Sequence, residues 1–241
     1  MALKHLAIIM DGNRRWARRN ALKMFAGHDH GAQNLKTISR SVAEHGIQNL
    51  TVFAFSSENW KRSQLEISNL LELMRNFVQN DVQQLIDDDI RLLIIGDRTA
   101  FDQGLQDAFK QAEQQTASCK RMTLTIAVNY GGRHDILMAA RSAIEKFSHK
   151  GQIEQHEFQM GLNTCQLPDV DLLIRTGGEK RLSNFMLWEM SYAELYFTDI
   201  LWPDFTIQDL SVAIKDYYSR NRRYGGDNIS EDYVANTIIR A

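Results

Sequence analysis

The sequence predicts an α/β fold, a single domain built on a central, mainly parallel sheet of about six strands flanked by helices. Three observations carry that expectation. Short runs rich in leucine and β-branched residues recur along the chain. Each is followed by a longer segment whose apolar residues have helical spacing. The runs are apolar at successive positions instead of alternating, the pattern of strands buried on both faces. Strand, helix, strand, repeated, calls for right-handed crossovers and a sheet sandwiched by helices.

The runs are HLAIIM (5–10), LTVFAF (50–55), RLLIIG (91–96), MTLTIAV (122–128) and DLLIR (171–175), with ELYF (194–197) as the candidate sixth strand. Helical spacing covers roughly 28–45, ended by Gly46, then 64–87, 98–116, 133–148 and 207–220. The helix over 64–87 starts at Ser63-Gln-Leu-Glu66, which has capping-box spacing. Its apolar residues, from Leu65 and Ile67 to Leu85 and Ile86, form a band wider than the usual ~100° stripe. Such a helix either packs on both the sheet and a neighbour or lines a hydrophobic cavity with one side.

At 241 residues and 27.8 kDa, with 44% hydrophobic residues, the chain can bury one large core, so residues 1–241 are expected to form one domain. Two prolines and no Pro/Gly/Ser-rich tract leave no linker, and there is no internal repeat. Lys plus Arg number 28 and Asp plus Glu 30, a net charge of 28 − 30 = −2, which argues against attachment to nucleic acid or membrane by overall charge. Charge is locally concentrated: Arg14, Arg15, Arg18, Arg19 and Lys23 fall within ten positions, and Arg220, Arg222 and Arg223 cluster near the end. A solvated helix face and an anion site both fit such runs. Cys119 and Cys165 have neither CxxC spacing nor histidine partners, so no disulfide framework or structural metal is expected, and a reduced, cytoplasmic protein is. No run approaches the ~18 apolar residues of a membrane span, and MALKHLAII lacks the features of a secretory signal.

In a parallel sheet, ligands bind at the carboxyl ends of the strands. Here those ends are DGNRRW, SSENWKR, GDR, NYGGRHD and RTGGEKRLSN. Glycines let the backbone approach a ligand, and arginines and amides supply donors. With Arg15, Arg62, Arg175 and Arg181 among them, the edges point to an anion site. There is no GxGxxG after the first strand, no GxxxxGK[ST] and no GxSxG, which removes the dinucleotide fingerprint, the P-loop and the hydrolase elbow. Asp87-Asp88-Asp89 is followed by Ile90 and Arg91, so it is not a DDxxD magnesium motif. A polyanion cradle beside an apolar slot suits an amphiphile such as a lipid diphosphate.

The segments HLAIIMDGNRRWA, AGHDHG, FAFSSENWKR, NYGGRHDI, DLLIRTGGEKRLSNFMLWEMSYAELYFTD and RNRRYGG together resemble the cis-prenyltransferases, most nearly the bacterial undecaprenyl diphosphate synthases, from about His5 to Gly226. The resemblance implies a cytoplasmic, Mg²⁺-dependent homodimer that extends farnesyl diphosphate with isopentenyl diphosphate in Z configuration and houses the growing chain in a hydrophobic tunnel. Peripheral membrane contact for product release is compatible with it. Residue by residue, Asp11 matches the family's magnesium-associated aspartate, and Gly12, Asn13, Arg15 and His28 match groups holding the allylic diphosphate, with Arg14, Trp16 and Lys23 beside them. The backbone after the first strand and a helix start would be aimed at that diphosphate. Ser56, Asn59, Trp60 and Arg62 match the loop around the reacting ends, Asn59 being a catalytic candidate. Arg175, Arg181 and Ser183 match the isopentenyl diphosphate cradle, and Glu194 the second acidic residue near the metal. Arg223-Tyr224-Gly225, in a tail of about 220–241, resembles the family's Arg-x-Gly element, which reaches into the partner's isopentenyl site.

Some positions depart from the family pattern. Arg14 stands where bacterial relatives usually have glycine, Met24 where an arginine is common, Lys180 where histidine is frequent and Ser63 where proline is usual. Lys23 or Arg14 would substitute for the cation missing at 24. His30, His45, His134, His149 and His156 have no metal-ligand spacing. Trp188 and Trp202 are expected in the core, and Tyr192, Glu194 and Phe197 at a dimer interface, which leaves two roles open for Glu194: a metal ligand beside Asp11, or a residue behind one. Two other activities share the same features, a noncatalytic polyprenyl-diphosphate-binding subunit and a diphosphate phosphohydrolase.

Overall fold

A computed structural model gives the fold and describes residues 2–220. Six strands form one sheet: β1 (His5–Ile9), β2 (Asn49–Ser56), β3 (Ile90–Ile95), β4 (Met122–Tyr130), β5 (Leu172–Arg175) and β6 (Glu194–Phe197). Their order is β3-β4-β2-β1-β5-β6, and every pairing is parallel, so the sheet is wholly instead of mainly parallel. β1 and β5 are buried at every residue, as their unbroken apolar runs require. β6 is an edge strand and remains partly exposed.

Eight α-helices are described: α1 (Asn13–Arg19), α2 (Met24–Glu44), α3 (Gln64–Asn80), α4 (Val82–Asp87), α5 (Gln103–Gln115), α6 (Gly132–Phe147), α7 (Gln155–Gln159) and α8 (Ile207–Ser219). Successive strand residues face opposite ways, and β1 divides accordingly. Leu6 and Ile8 join the larger apolar cluster with residues of α2, α3, α5 and α8, while Ala7 and Ile9 join a smaller one with Phe185, Met186 and Met190. The sandwich is therefore uneven, with the heavier helical layer on one face.

The expected helix over 64–87 is two helices, broken at Asp81. Lys36 Nζ of α2 lies 3.0 Å from the Asp81 carboxylate, a tertiary contact that no local propensity announces. The 98–116 helix also starts late. Residues 98–100 form a short 3₁₀ turn, and Asp102 caps α5 by accepting from the N–H of Leu105 at 3.1 Å.

The chain leaves β1 toward β2, β4 and β3 and returns to β5 on the other side. That reversal opens a crevice beyond the carboxyl ends of β1 and β5.

Candidate active site

Both walls of the crevice are built by turns that only particular residues can make. Gly12 precedes α1 at φ +116, and a β-carbon there would come within 2.9 Å of the Leu201 Cα. No side chain caps α1. After β5, Thr176 Oγ1 donates to the Asp11 carbonyl at 2.7 Å, and Gly177 follows at φ +82 against Arg15 Nη2. The loop beyond holds Ser183, Asn184 and Met186 all at positive φ, between +39° and +63°. Three non-glycine residues in that region within four positions are strained, a condition that surrounding structure sustains at functional sites.

Arg175 ends β5 and is 3% exposed. Its Nη2 donates to Asp11 Oδ2 at 2.9 Å, and its Nη1 donates to Ser183 Oγ at 2.7 Å and to the Arg181 carbonyl. Arg15 Nη2 donates to the other Asp11 oxygen at 3.3 Å. One carboxylate therefore stands between two guanidiniums, and Arg175 carries its position to the Arg181–Ser183 loop.

Two polar basins share this centre. The larger, about 590 Å³, is lined by Asp11, Asn13, His28, Ser56, Glu58, Asn59, Arg62, Arg175, Arg181, Ser183 and Asn184 among others. The second, about 340 Å³, runs along Asp11, Gly12, Asn13, Arg14, Arg15 and Arg18 and again touches His28 and Arg62. An apolar slot meets both at Met10, Asn13 and His28, and continues between Leu70, Met74 and Phe77 of α3, Phe109 of α5, and Ile94 and Ile126 of the sheet. So the wide apolar band of this helix does both jobs that were open: it packs in the core and lines a cavity. The slot is about 100 Å³, narrower than the ~300–1,000 Å³ of typical ligand pockets.

Electrostatics follow from burial and neighbours. Burial, aided by the Arg62 and Arg14 charges, lowers the His28 pKa to about 4 against the pull of Glu66, so His28 is neutral near pH 7. Burial pushes the Glu58 carboxyl up, but hydrogen bonds from Asn184, its own backbone, Ser56 and Ser57 outweigh that and leave it below the usual range.

Of the residues singled out in the sequence, Asp11, Gly12, Asn13, Arg14, Arg15, His28, Ser56, Asn59, Arg62, Arg175, Arg181 and Ser183 line the basins. Others lie elsewhere. Trp16 turns away, its Nε1 donating to Asp204 Oδ1 at 2.6 Å. Trp60 packs against Phe55 and Phe101, and its Nε1 donates to Asn129 Oδ1 at 2.8 Å. Lys23 lines a separate recess with Met24. Glu194 does not join Asp11 within this chain. It pairs with Leu172 while Phe197 pairs with Arg175, so it sits three rungs, about 10 Å, back from the crevice, and Arg220 Nη1 donates to it at 2.8 Å. Arg222 and Arg223 lie outside the described residues. Trp202 is buried as expected, but Trp188 is only half-buried, beside Phe158 over a shallow groove. The five isolated histidines from His30 to His156 are all exposed. Missing from the sequence reading are Arg18, Glu58, Asn184 and Glu66. Arg18 was in view only as part of a charge run, and the SSENWKR edge placed Glu58 at the site without giving it a task.

Among the described residues no group of three or more His, Cys, Asp or Glu side chains could hold a metal unaided. In the smaller basin Asp11 is the one carboxylate in the lining, and one carboxylate beside an anion fits Mg²⁺, which keeps waters and completes its shell with substrate phosphates.

Cationic basins at the carboxyl edge of a parallel sheet, opening on an apolar slot, define a protein that handles an amphiphilic polyanion. The chain belongs to the prenyltransferase family described as putative undecaprenyl diphosphate synthase, whose profile matches residues 9–225. It is 44% identical over 227 residues to the ditrans,polycis-undecaprenyl-diphosphate synthase ((2E,6E)-farnesyl-diphosphate specific) of Escherichia coli, covering 92% of this chain and 90% of that protein. An isoprenyl transferase of Aquifex aeolicus is 44% identical over 228 residues, with 93% and 98% covered. Among solved structures, lavandulyl diphosphate synthase from Lavandula x intermedia in complex with dimethylallyl diphosphate superposes with a TM-score of 0.88 at 38% identity, covering 92% of this chain and 98% of that one. A probable undecaprenyl diphosphate synthase from Campylobacter jejuni gives 0.80 at 34% identity, with 93% and 99% covered.

Proposed function

We propose that this chain condenses isopentenyl diphosphate units in Z configuration onto farnesyl diphosphate, making a long-chain polyprenyl diphosphate of undecaprenyl length, a lipid-carrier precursor for cell-wall glycan synthesis. The observation that carries the reading is the junction of cationic basins and apolar slot at Met10, Asn13 and His28. The allylic diphosphate lies along Gly12 to Arg15, His28 and Arg62, with its hydrocarbon in the slot. The isopentenyl diphosphate lies against Arg175, Arg181 and Ser183, where guanidinium forks suit phosphate oxygens.

The two basins share Asp11, Asn13, His28 and Arg62, so the leaving group and the incoming double bond meet side by side. Arg15 and Arg62 stabilise negative charge on the departing diphosphate, and the slot keeps water from the allylic carbon as it becomes positive. Asp11 would hold Mg²⁺, which supplies further neutralisation of the diphosphate. Asn59 Oδ1 already accepts from the N–H of Ser56 at 3.1 Å, and Asp11 is engaged by two guanidiniums. The proton lost after attack is therefore assigned to a departing diphosphate oxygen.

The reading includes a cytoplasmic homodimer in which the element at Arg223 serves the partner's site, with peripheral membrane contact for product release. Incubation with farnesyl and isopentenyl diphosphates and Mg²⁺, followed by analysis of extractable lipid, tests it. Elongated product supports the proposal. No product points to a binding subunit, and farnesol with phosphate to a phosphohydrolase.

A further inference from the structure

The first turn of α3 carries a carboxylate that the proposed reaction does not use. Glu66 is 6% exposed, and its Oε1 accepts from Arg62 Nη1 at 3.0 Å. The same oxygen lies 3.8 Å from Arg14 Nε and 3.8 Å from His28 Nε2. His28 Nε2 is itself a buried atom with no hydrogen-bond partner among the described residues. Arg14, His28 and Arg62 all line the smaller basin, whereas Glu66 borders the recess behind it, beside Met24 and Leu65. The carboxylate thus stands behind the cationic wall.

That placement decides between two roles. Inside the basin, a carboxylate would compete with a polyanion for the arginines. Behind it, the carboxylate engages one nitrogen of the Arg62 fork and leaves the others for the basin, and it offsets the mutual repulsion of Arg14 and Arg62. The capping-box spacing gives the same answer. Ser63 Oγ accepts from the N–H of Glu66 at 3.3 Å, but the Glu66 side chain turns to Arg62 instead of back to the Ser63 backbone. Since α3 also supplies Leu70, Leu73 and Met74 to the apolar slot, Glu66 ties the head-group wall to the hydrocarbon wall. We infer that Glu66 is a positioning residue that acts through Arg62, holding its guanidinium turned toward the diphosphate of the allylic substrate. The inference rests on the diphosphate reading of the basins.

Calorimetric titration of the full chain with inorganic diphosphate and Mg²⁺ tests it, comparing Glu66→Gln, Glu66→Asp, Arg62→Gln and the Glu66→Gln/Arg62→Gln pair. Glu66→Gln is expected to weaken binding roughly tenfold, equivalent to about 1.4 kcal/mol, and Glu66→Asp by less. In the Arg62→Gln background the further change at 66 should shift Kd by less than about twofold, the scatter of independent sites. Unchanged or tighter binding in Glu66→Gln, or losses that multiply in the double variant, would overturn the inference. A lowered melting temperature with unaltered affinity would do the same, since it marks a purely structural residue. If Glu66→Gln does not fold, Glu66→Asp with and without Arg62→Gln decides by the same comparison. In turnover, the KM for farnesyl diphosphate should rise while that for isopentenyl diphosphate stays within about twofold, again the scatter of independent sites. Because the titration uses inorganic diphosphate, it stands even if the wild-type chain elongates nothing, so failure of the inference and failure of the proposed function are separable.

Discussion

Arg175 Nη2 donates to Asp11 Oδ2 at 2.9 Å, and that pair joins the carboxyl ends of the two strands flanking the reversal of sheet order. The guanidinium is almost wholly buried, while the carboxylate side chain is 31% exposed toward the basin. The two terminal nitrogens of this buried cation are thereby engaged, one on the inner side by Ser183 and the Arg181 carbonyl and the other on the outer side by Asp11, a carboxylate that lines both basins.

Asp11→Ala should lower kcat by about two to three orders of magnitude, the usual effect of deleting one group that stabilises developing charge, with substrate affinity largely kept. It also leaves Arg175 without its outer partner, at a cost of about 1–3 kcal/mol in stability. Asp11→Asn keeps the shape and separates the two effects. Single-turnover kinetics beside thermal melts provide the check, and near-normal turnover in either variant would remove Asp11 from the mechanism.

How much of this could be read beforehand depends on whether the cause was local. The strands were legible because their apolar runs are fixed by burial on both faces, and Asp11 and Arg175 were legible because they end such runs. The break at Asp81 was not, since Lys36 across the α2–α3 contact accompanies it and no glycine or proline marks it. Glu66 was visible only as the last residue of a capping box, because its partners Arg14 and His28 are distant in sequence. The positive φ values of Ser183, Asn184 and Met186 had no signal at all in residue type for serine and methionine.

Met24 begins α2 with 44% of its surface exposed, beside Lys23, His28 and Glu66. Met24→Arg adds a cation next to the diphosphate wall and should tighten the allylic substrate by about 1–3 kcal/mol, the scale of a hydrogen bond to a charged group. Isothermal titration with farnesyl diphosphate measures this. An unchanged Kd would mean that Lys23 or Arg14 already fills the place.

The deep end of the slot should set product length. Ile94→Phe narrows it at a packing cost of about 1–3 kcal/mol and is expected to shift products to shorter chains. Phe109→Ala deepens it, with a larger cost of about 3–5 kcal/mol, and should lengthen them. Product distributions resolved by chromatography at a temperature where both variants remain folded test the pair. Identical distributions in both would place the growing chain elsewhere.

His28 couples the site to pH. Its pKa is lowered from the usual 6.5 to about 4, first by burial and then by Arg62 and Arg14, with Glu66 opposing them. Between these values the unfolded chain binds a proton that the folded chain does not, so stability rises with pH through that window. The contribution is fully present above about pH 6.5 and lost as pH falls toward 4, with an upper bound of about 3 kcal/mol from the size of the shift. His28→Asn should flatten the dependence of melting temperature on pH within that window and leave it unaltered above pH 7. Glu189 titrates with the opposite sign, since burial raises its carboxyl pKa and favours the protonated form at low pH, so the informative quantity is the difference between wild type and variant. A bound diphosphate beside His28 favours the imidazolium and should raise its pKa, which NMR of the ring protons with and without farnesyl diphosphate detects. A pKa that stays near 4 on saturation would put the diphosphate out of contact with His28.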